Sequence, residues 1–236
     1  VGTKNARVLV IGDLHFPFCH VDTLKFLAAI KKKYKPDRVI SIGDEIDGHA
    51  WSFHDPDPDL HSPGDELGKA KWWIHQLHKI FPRMDILESN HGSLFYRKQK
   101  KAGLPRGVMK SYNEIYGVGL NWKWHKSLTI LLSSGAPCYF HHGKSADVIK
   151  TSQSMGMSTV QGHYHEKFGV QYWANSLGLY FAAQTGCLVD DDALAFEYNK
   201  LNLKRPLIGS LFIQDGLAFS IPMVLDKRGR WNKKIV

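Results

Sequence analysis

Two regimes of apolar and polar patterning divide this chain. In the first, short apolar runs alternate with stretches of helical spacing. Arg7–Ile11 is a continuous apolar run that closes on Gly12-Asp13, which predicts a buried strand opening onto a loop. Residues 21–34 follow with Leu24, Leu27, Ala28 and Ile30 on one helical face and Asp22 placed as an N-cap. Residues 38–42 predict a second strand, again ending in Gly-Asp. Residues 49–63 are a polar, Pro-rich loop carrying Trp51, Phe53, His54 and His61. Residues 65–81 predict a helix whose stripe is Leu67, Ala70, Ile74, Leu77 and Ile80. A third strand is expected at 85–87, followed by Glu88-Ser89-Asn90-His91. Two short basic helices, Leu94–Lys101 and 109–116, flank Gly103-Leu104-Pro105.

In the second regime strands dominate. Residues 128–132, 137–141, 160–161, 168–172, 179–183, 211–213 and 218–221 predict strands, and 145–155 predicts the one helix. Alternation giving way to a strand-rich half predicts a mixed α/β fold: a sandwich of sheets flanked by helices. No repeat, low-complexity segment or linker interrupts it. One domain over 1–236 is the expectation, with a basic C-terminal tail from about 226.

Polar clusters stand at the ends of the apolar runs. They are Asp13-Leu14-His15, Gly43-Asp44-Glu45-Ile46-Asp47, Asn90-His91, His142-Gly143 and Gly162-His163-Tyr164-His165. In open α/β sheets, sites form at the carboxyl ends of strands, so Asp13 and Asp44 are expected on one rim. In extended backbone, residues i and i+2 point the same way, so Asp13 with His15, and His163 with His165, can each address one locus. DxH alone is weak, because most such tripeptides are surface loops or caps; HxH is somewhat stronger. Asp44, with two oxygens, is suited to bridge two cations, against the alternative of a helix or turn cap. For Asp47 the cap or turn reading is the better one. The pooled donors are oxygen and nitrogen without Cys, a set that suits Mn, Fe or Zn.

Composition changes the picture in two ways. The formal charge is +9, which favours a polyanionic partner such as nucleic acid or nucleotides. Arg97, Lys98, Lys100, Lys101, Arg106 and Lys110 form a run without an acidic residue, and 227–234 is a second basic run around Trp231. Lys31-Lys32-Lys33 ends a helix, where cations complement the dipole. The three Cys, Cys19, Cys138 and Cys187, lie far apart, which fits a reducing, cytoplasmic compartment and no disulfide framework. No apolar run is long enough to predict a membrane span, and residues 1–7 lack the apolar centre of a secretory signal.

The ordered set DxH, GDxxD, NH, HG, GHxH resembles the calcineurin-like metallophosphoesterase superfamily over residues 13–165. The resemblance implies a four-layer αββα sandwich of two mixed sheets flanked by helices, with a dinuclear centre at the strand ends. It implies one metal on Asp13, His15, Asp44 and His165, and a second on Asp44, Asn90, His142 and His163. Two divalent ions, Mn first with Fe or Zn as alternatives, would then activate water for attack on phosphorus, with His91 protonating the leaving oxygen. The family motif usually continues Asn-His with an acidic residue, where this chain has Gly92. Asp47 or Glu45 is the expected substitute partner for His91. Arg97, Tyr96, Lys98, Lys100 and Lys101 follow directly and are candidates for substrate contacts.

Three function classes follow. The first is a nuclease or phosphodiesterase acting on DNA or RNA, favoured by the basic run after His91. The second is a small-molecule phosphatase acting on nucleotides. The third is a non-catalytic interaction module, disfavoured by the complete ligand set. A homo-oligomer is compatible with the sequence, and no membrane partner is expected. His75 and His78 read as a solvated or half-buried helix face rather than a second metal site. Asp55, Asp57 and Asp59 read as a turn-rich loop, because a calcium loop's Gly and terminal Glu are out of register.

Overall fold

The computed structural model describes residues 5–191, 193 and 205–235. Two mixed sheets face each other. The first is ordered β11-β10-β1-β2-β3-β4 and the second β5-β6-β7-β9-β8. In the first sheet, β1 (Arg7–Ile11), β2 (Arg38–Ser41), β3 (Met84–Leu87) and β4 (Trp122–His125) run parallel. The antiparallel pair β10 (Gly209–Gln214) and β11 (Leu217–Pro222) completes it. In the second, β6 (Pro137–His141), β7 (Ser158–Gln161) and β9 (Gly178–Thr185) run parallel. Antiparallel β5 (Leu128–Leu131) and β8 (Phe168–Asn175) form its edges.

The period-2 alternation of the central strands explains the layers. Val8 and Val10 of β1 turn to the second sheet, where they meet Phe140, Val160 and Phe181 in an apolar inter-sheet core. Leu9 and Ile11 turn the other way, onto Phe26, Leu27 and Ile30 of α1 (Thr23–Tyr34) and Ala70, Ile74 and Leu77 of α2 (Pro63–Ile80). On the far side of the second sheet lies α5 (Val148–Met155). The order helix, sheet, sheet, helix is the expected four-layer sandwich.

Several local expectations shift. Helix α1 buries Phe26 with Leu27 and Ile30, while Leu24 and Ala28 are half-buried. Asp22 occupies the N-cap position but makes no side-chain cap bond; its carboxylate instead accepts from Arg230 Nε at 2.7 Å and Nη2 at 2.6 Å. Helix α2 begins at Pro63 because Ser62 caps it, accepting from Asp65 N, and Pro suits the first helical turn. The second basic helix shortens to α4 (Tyr112–Tyr116), started by a capping box of Ser111 and Glu114. Strand β4 was not expected. Its Trp122 is buried and donates its indole N–H to the Phe81 carbonyl at 2.8 Å. Within the basic C-terminal run, Trp231 is buried with its ring against Phe26, and Arg230 pairs with Asp22. No helix among the described residues is long and apolar enough to cross a membrane.

Candidate metal centre

Every cluster of the sequence pattern sits just beyond the carboxyl end of a parallel strand. β1 delivers Asp13 and His15, β2 delivers Asp44, β3 delivers Asn90 and His91, β6 delivers His142, and β7 delivers His163 and His165. Because the two sheets face each other, their rims close on one locus. Side-chain donors of Asp13, His15 and His165 lie within 4.8 Å of one another, and so do those of Asp44, His142 and His163. His165 Nε2 stands 3.2 Å from Asp13 Oδ2. Asp44 Oδ2 stands 3.4 Å from His15 Nε2 and 3.2 Å from His142 Nε2, so one carboxylate oxygen reaches donors of both groups. Asn90 Oδ1 lies 2.8 Å from His142 Nε2. The seven expected ligand residues therefore converge.

The backbone is bent to achieve this. His15 and Asp44 have φ of 47° and His163 has φ of 70°. Left-handed backbone at non-Gly residues costs roughly 1–3 kcal/mol each and persists only where the surroundings impose it. Here the surroundings are explicit. His15 N donates to the Asp44 carbonyl at 2.8 Å, Asp44 N to Ser89 Oγ at 2.8 Å, and His163 N to Asp13 Oδ2 at 2.7 Å. Gly162 permits the last contact, since a Cβ there would stand 2.6 Å from Asp13 Oδ1 and 2.4 Å from Ile42 Cγ2.

Hydrogen bonds also set the imidazole roles. His142 Nδ1 donates to the Ile42 carbonyl at 3.0 Å, which turns Nε2 toward Asp44. His15 Nδ1 is held by Asp47 Oδ1 at 2.6 Å. Asp47 is thus no cap: a buried carboxylate behind a candidate ligand is its place, and the cap reading is corrected. The signal that could have found it was present in the GDxxD spacing.

Electrostatics favour a cation at the centre. Burial works against ionising Asp44, but His142 and His91 outweigh it and hold its carboxyl well below the usual range. Burial opposes the His15 cation as well, yet its bonds to Asp44 and Asp47 push it up to about 10; His142, by the same balance with Asp44, reaches about 9. Burial and the neighbouring His142 hold His163 below its ordinary value. Asp13 Oδ1 is buried and makes no hydrogen bond among the described residues. An orphaned carboxylate oxygen among imidazole nitrogens is the environment a divalent cation satisfies, so the residues fit the metals that the family resemblance implies.

His91 lies beside this group, its donor also within 4.8 Å of those of His15 and Asp44. Its Nδ1 donates to the Asp47 carbonyl at 2.5 Å, and the Asp47 carboxylate is 3.7 Å away. Of the two substitute partners expected, Asp47 is therefore the one in contact. Glu45 has a different place. It fills the space beside Gly92, where a Cβ would stand 2.9 Å from Oε2, and accepts from Trp124 Nε1 at 3.1 Å and the Tyr116 hydroxyl at 3.3 Å. Burial pushes Glu45 up to about 7.

The substrate candidates separate. Tyr96 donates its hydroxyl to the Lys110 carbonyl and packs on Tyr112. Arg97 donates to the Asn90 carbonyl at 3.1 Å, bracing the loop that carries Asn90 and His91. Lys98, Lys100 and Lys101 lie along α3 (Leu94–Lys101). His75 is exposed with Nε2 2.8 Å from the Tyr116 carbonyl, and the half-buried His78 packs its ring on Trp122, which fits the solvated or half-buried face expected.

Residues 6–69, which span β1, α1, β2 and the first turns of α2, match the family model of the calcineurin-like phosphoesterases. The chain resembles the calcineurin-like metallophosphoesterase superfamily. Asp13, His15 and Asp44 lie inside the matched segment, and Asn90, His142, His163 and His165 lie beyond it. No curated protein matches the chain. Similar solved structures include Vacuolar Protein Sorting 29 from Cryptosporidium parvum, 13% identical over 91% of this chain and 94% of that one, with a TM-score of 0.46. Vps29 from Chaetomium thermophilum is 10% identical over 98% and 95%, TM-score 0.49. YfcE, a phosphoesterase from E. coli, is 9% identical over 98% of both chains, TM-score 0.47.

Proposed function

We propose that this chain is a metal-dependent phosphoesterase, with a phosphodiester of nucleic acid as its substrate. The observation that carries the reading is the convergence of four strand ends on the Asp44 carboxylate at the end of a fifth, with the orphaned Asp13 Oδ1 in the same rim. Asp13, His15, Asp44 and His165 would hold one divalent cation and Asp44, Asn90, His142 and His163 a second, with Mn the first candidate for an oxygen and nitrogen donor set. When bound, the ions supply Lewis acidity and neutralise charge on the phosphoryl oxygens.

The protein's own groups account for the rest. Asp47 fixes two imidazoles at once: its carboxylate holds His15 and its carbonyl holds His91. With Nδ1 bound to that carbonyl, His91 presents Nε2 to substrate. A proton on Nε2 is then placed for the leaving oxygen. The basic α3 beside His91 favours a polyanion over an isolated phosphate.

The test is turnover of a bis-aryl phosphate by purified protein with Mn²⁺, alongside metal content. Asp44→Asn is expected to abolish turnover while the circular dichroism spectrum stays unchanged. Undiminished turnover in that variant would overturn the assignment.

A further inference from the structure

Phe53 is 39% exposed, yet it does not stand alone. Arg97 Cζ lies 4.9 Å from its ring centroid, Lys98 Nζ 4.6 Å and Lys101 Nζ 5.4 Å. These three belong to one face of α3, at the i, i+1, i+4 spacing that lines a helix. None of them forms an ion pair among the described residues; the nearest pair in sequence is Arg106 with Glu88. Ring and cations are also held in place. The 3-10 turn His49–Trp51 just before Phe53 is tied to α2, because Glu66 accepts from His49 N at 2.9 Å and Ala50 N at 2.8 Å. Trp51 stacks on Phe95 of α3 at 5.1 Å. Arg97 links the same face to the Asn90 carbonyl.

Three like charges gathered on one partly exposed ring, none of them ion-paired among the described residues, make a site for anions. They span about 6 Å along the helix axis at a ~1.5 Å rise, so the site is elongated along α3, with Arg97 bonded to the loop that carries His91. We infer that Phe53 and the Arg97–Lys98–Lys101 face bind the backbone of a single-stranded polynucleotide next to the hydrolysed bond, with the Phe53 ring as a platform for an unpaired base. A cationic groove with an aromatic platform is the chemistry by which single strands are held without sequence preference. The inference rests on the hydrolytic reading for its place in a reaction, but its binding step does not need turnover.

The experiment is therefore fluorescence anisotropy in EDTA, with labelled pdT, (dT)₂, (dT)₄ and (dT)₈ on the full chain. Affinity should rise with length, and for (dT)₈ it should fall with salt. Arg97→Gln, Lys98→Gln and Lys101→Gln together should flatten the log–log salt slope by about 2, at ~0.7 per phosphate contacted. Phe53→Leu should weaken binding about 5- to 100-fold, and Phe53→Tyr should retain it. A control with the same charge loss, Lys32→Gln, Arg83→Gln and Lys123→Gln, should keep the wild-type slope. Equal flattening by both triple variants means bulk charge and overturns the site. So does an unchanged slope in the α3 variant. Equal affinity for pdT and (dT)₈ assigns the cations to a free nucleotide's phosphate and overturns the polynucleotide. Failure of the hydrolytic reading shows separately, as absent bis-aryl phosphate turnover with Mn²⁺ while oligonucleotide binding stands.

Discussion

At the scale of single residues, the centre works by giving each polar group a second contact that fixes its direction. Asp47 is the clearest case, since one residue orients both a candidate ligand and the candidate acid. Gly92 belongs with it. The position where the family motif usually places an acid is empty of side chain because the Glu45 carboxylate already occupies that volume. The chain therefore keeps a buried acid in this corner but roots it on another strand end. His91 carries the prediction at this scale. Removal of a general acid typically costs ~10²–10⁴ in rate, so His91→Ala should lower kcat by that order and keep the metal equivalents of the wild type. Metal analysis of the purified variant checks it; loss of one equivalent would make His91 a ligand.

At the scale of elements, the telling contact is between the start of α1 and the C-terminal segment. Asp22 accepts from Arg230 and from Trp231 N, and the Arg230 guanidinium holds the Asp22 carboxyl well below the usual carboxylate range. A carboxyl depressed in the folded state contributes stability that is present above its unfolded pKa of about 4 and is lost as pH falls toward the folded value. Arg230→Gln should therefore lower Tm by a few degrees at pH 6–7, and the gap from wild type should close progressively below about pH 4. Thermal unfolding across pH checks this, and a gap that persists in acid would show that packing, not the ion pair, carries the effect. Strand β4 teaches a related point. Its pattern Trp-Lys-Trp-His does not announce a strand, and what makes it one is parallel pairing with β3 and the buried Trp122.

At the scale of the whole molecule, the described residues form layers that share cores. Leu9 and Ile11 face the helices from the strand whose Val8 and Val10 face the second sheet. Trp231 lies in the first of these cores. We expect one cooperative unfolding transition, consistent with a single domain. Both Phe140→Ala, between the sheets, and Trp231→Ala, under α1, should lower that same transition, each by about 3–5 kcal/mol. Calorimetry checks it: a second transition in either variant would show that the C-terminal segment or the second sheet is a separate unit.

The sequence alone determined the strand–helix alternation, the strand-rich second half and the order of the polar clusters, because these are local properties written in periodicity and in Gly-Asp strand exits. The placement of Asp13 and Asp44 on one rim was legible for the same reason, while the part of His142 and His163 came from the family resemblance. Only the tertiary structure decided which carboxylate stands behind which imidazole. Asp47 reaches His15 from 32 residues away and Asp22 reaches Arg230 from 208, and no local spacing encodes such contacts. It also decided which aromatic residues face solvent. Trp231 in a basic run and Phe53 in a Pro-rich loop look alike in sequence, but packing on Phe26 buries the first, while three cations gather on the still-exposed second.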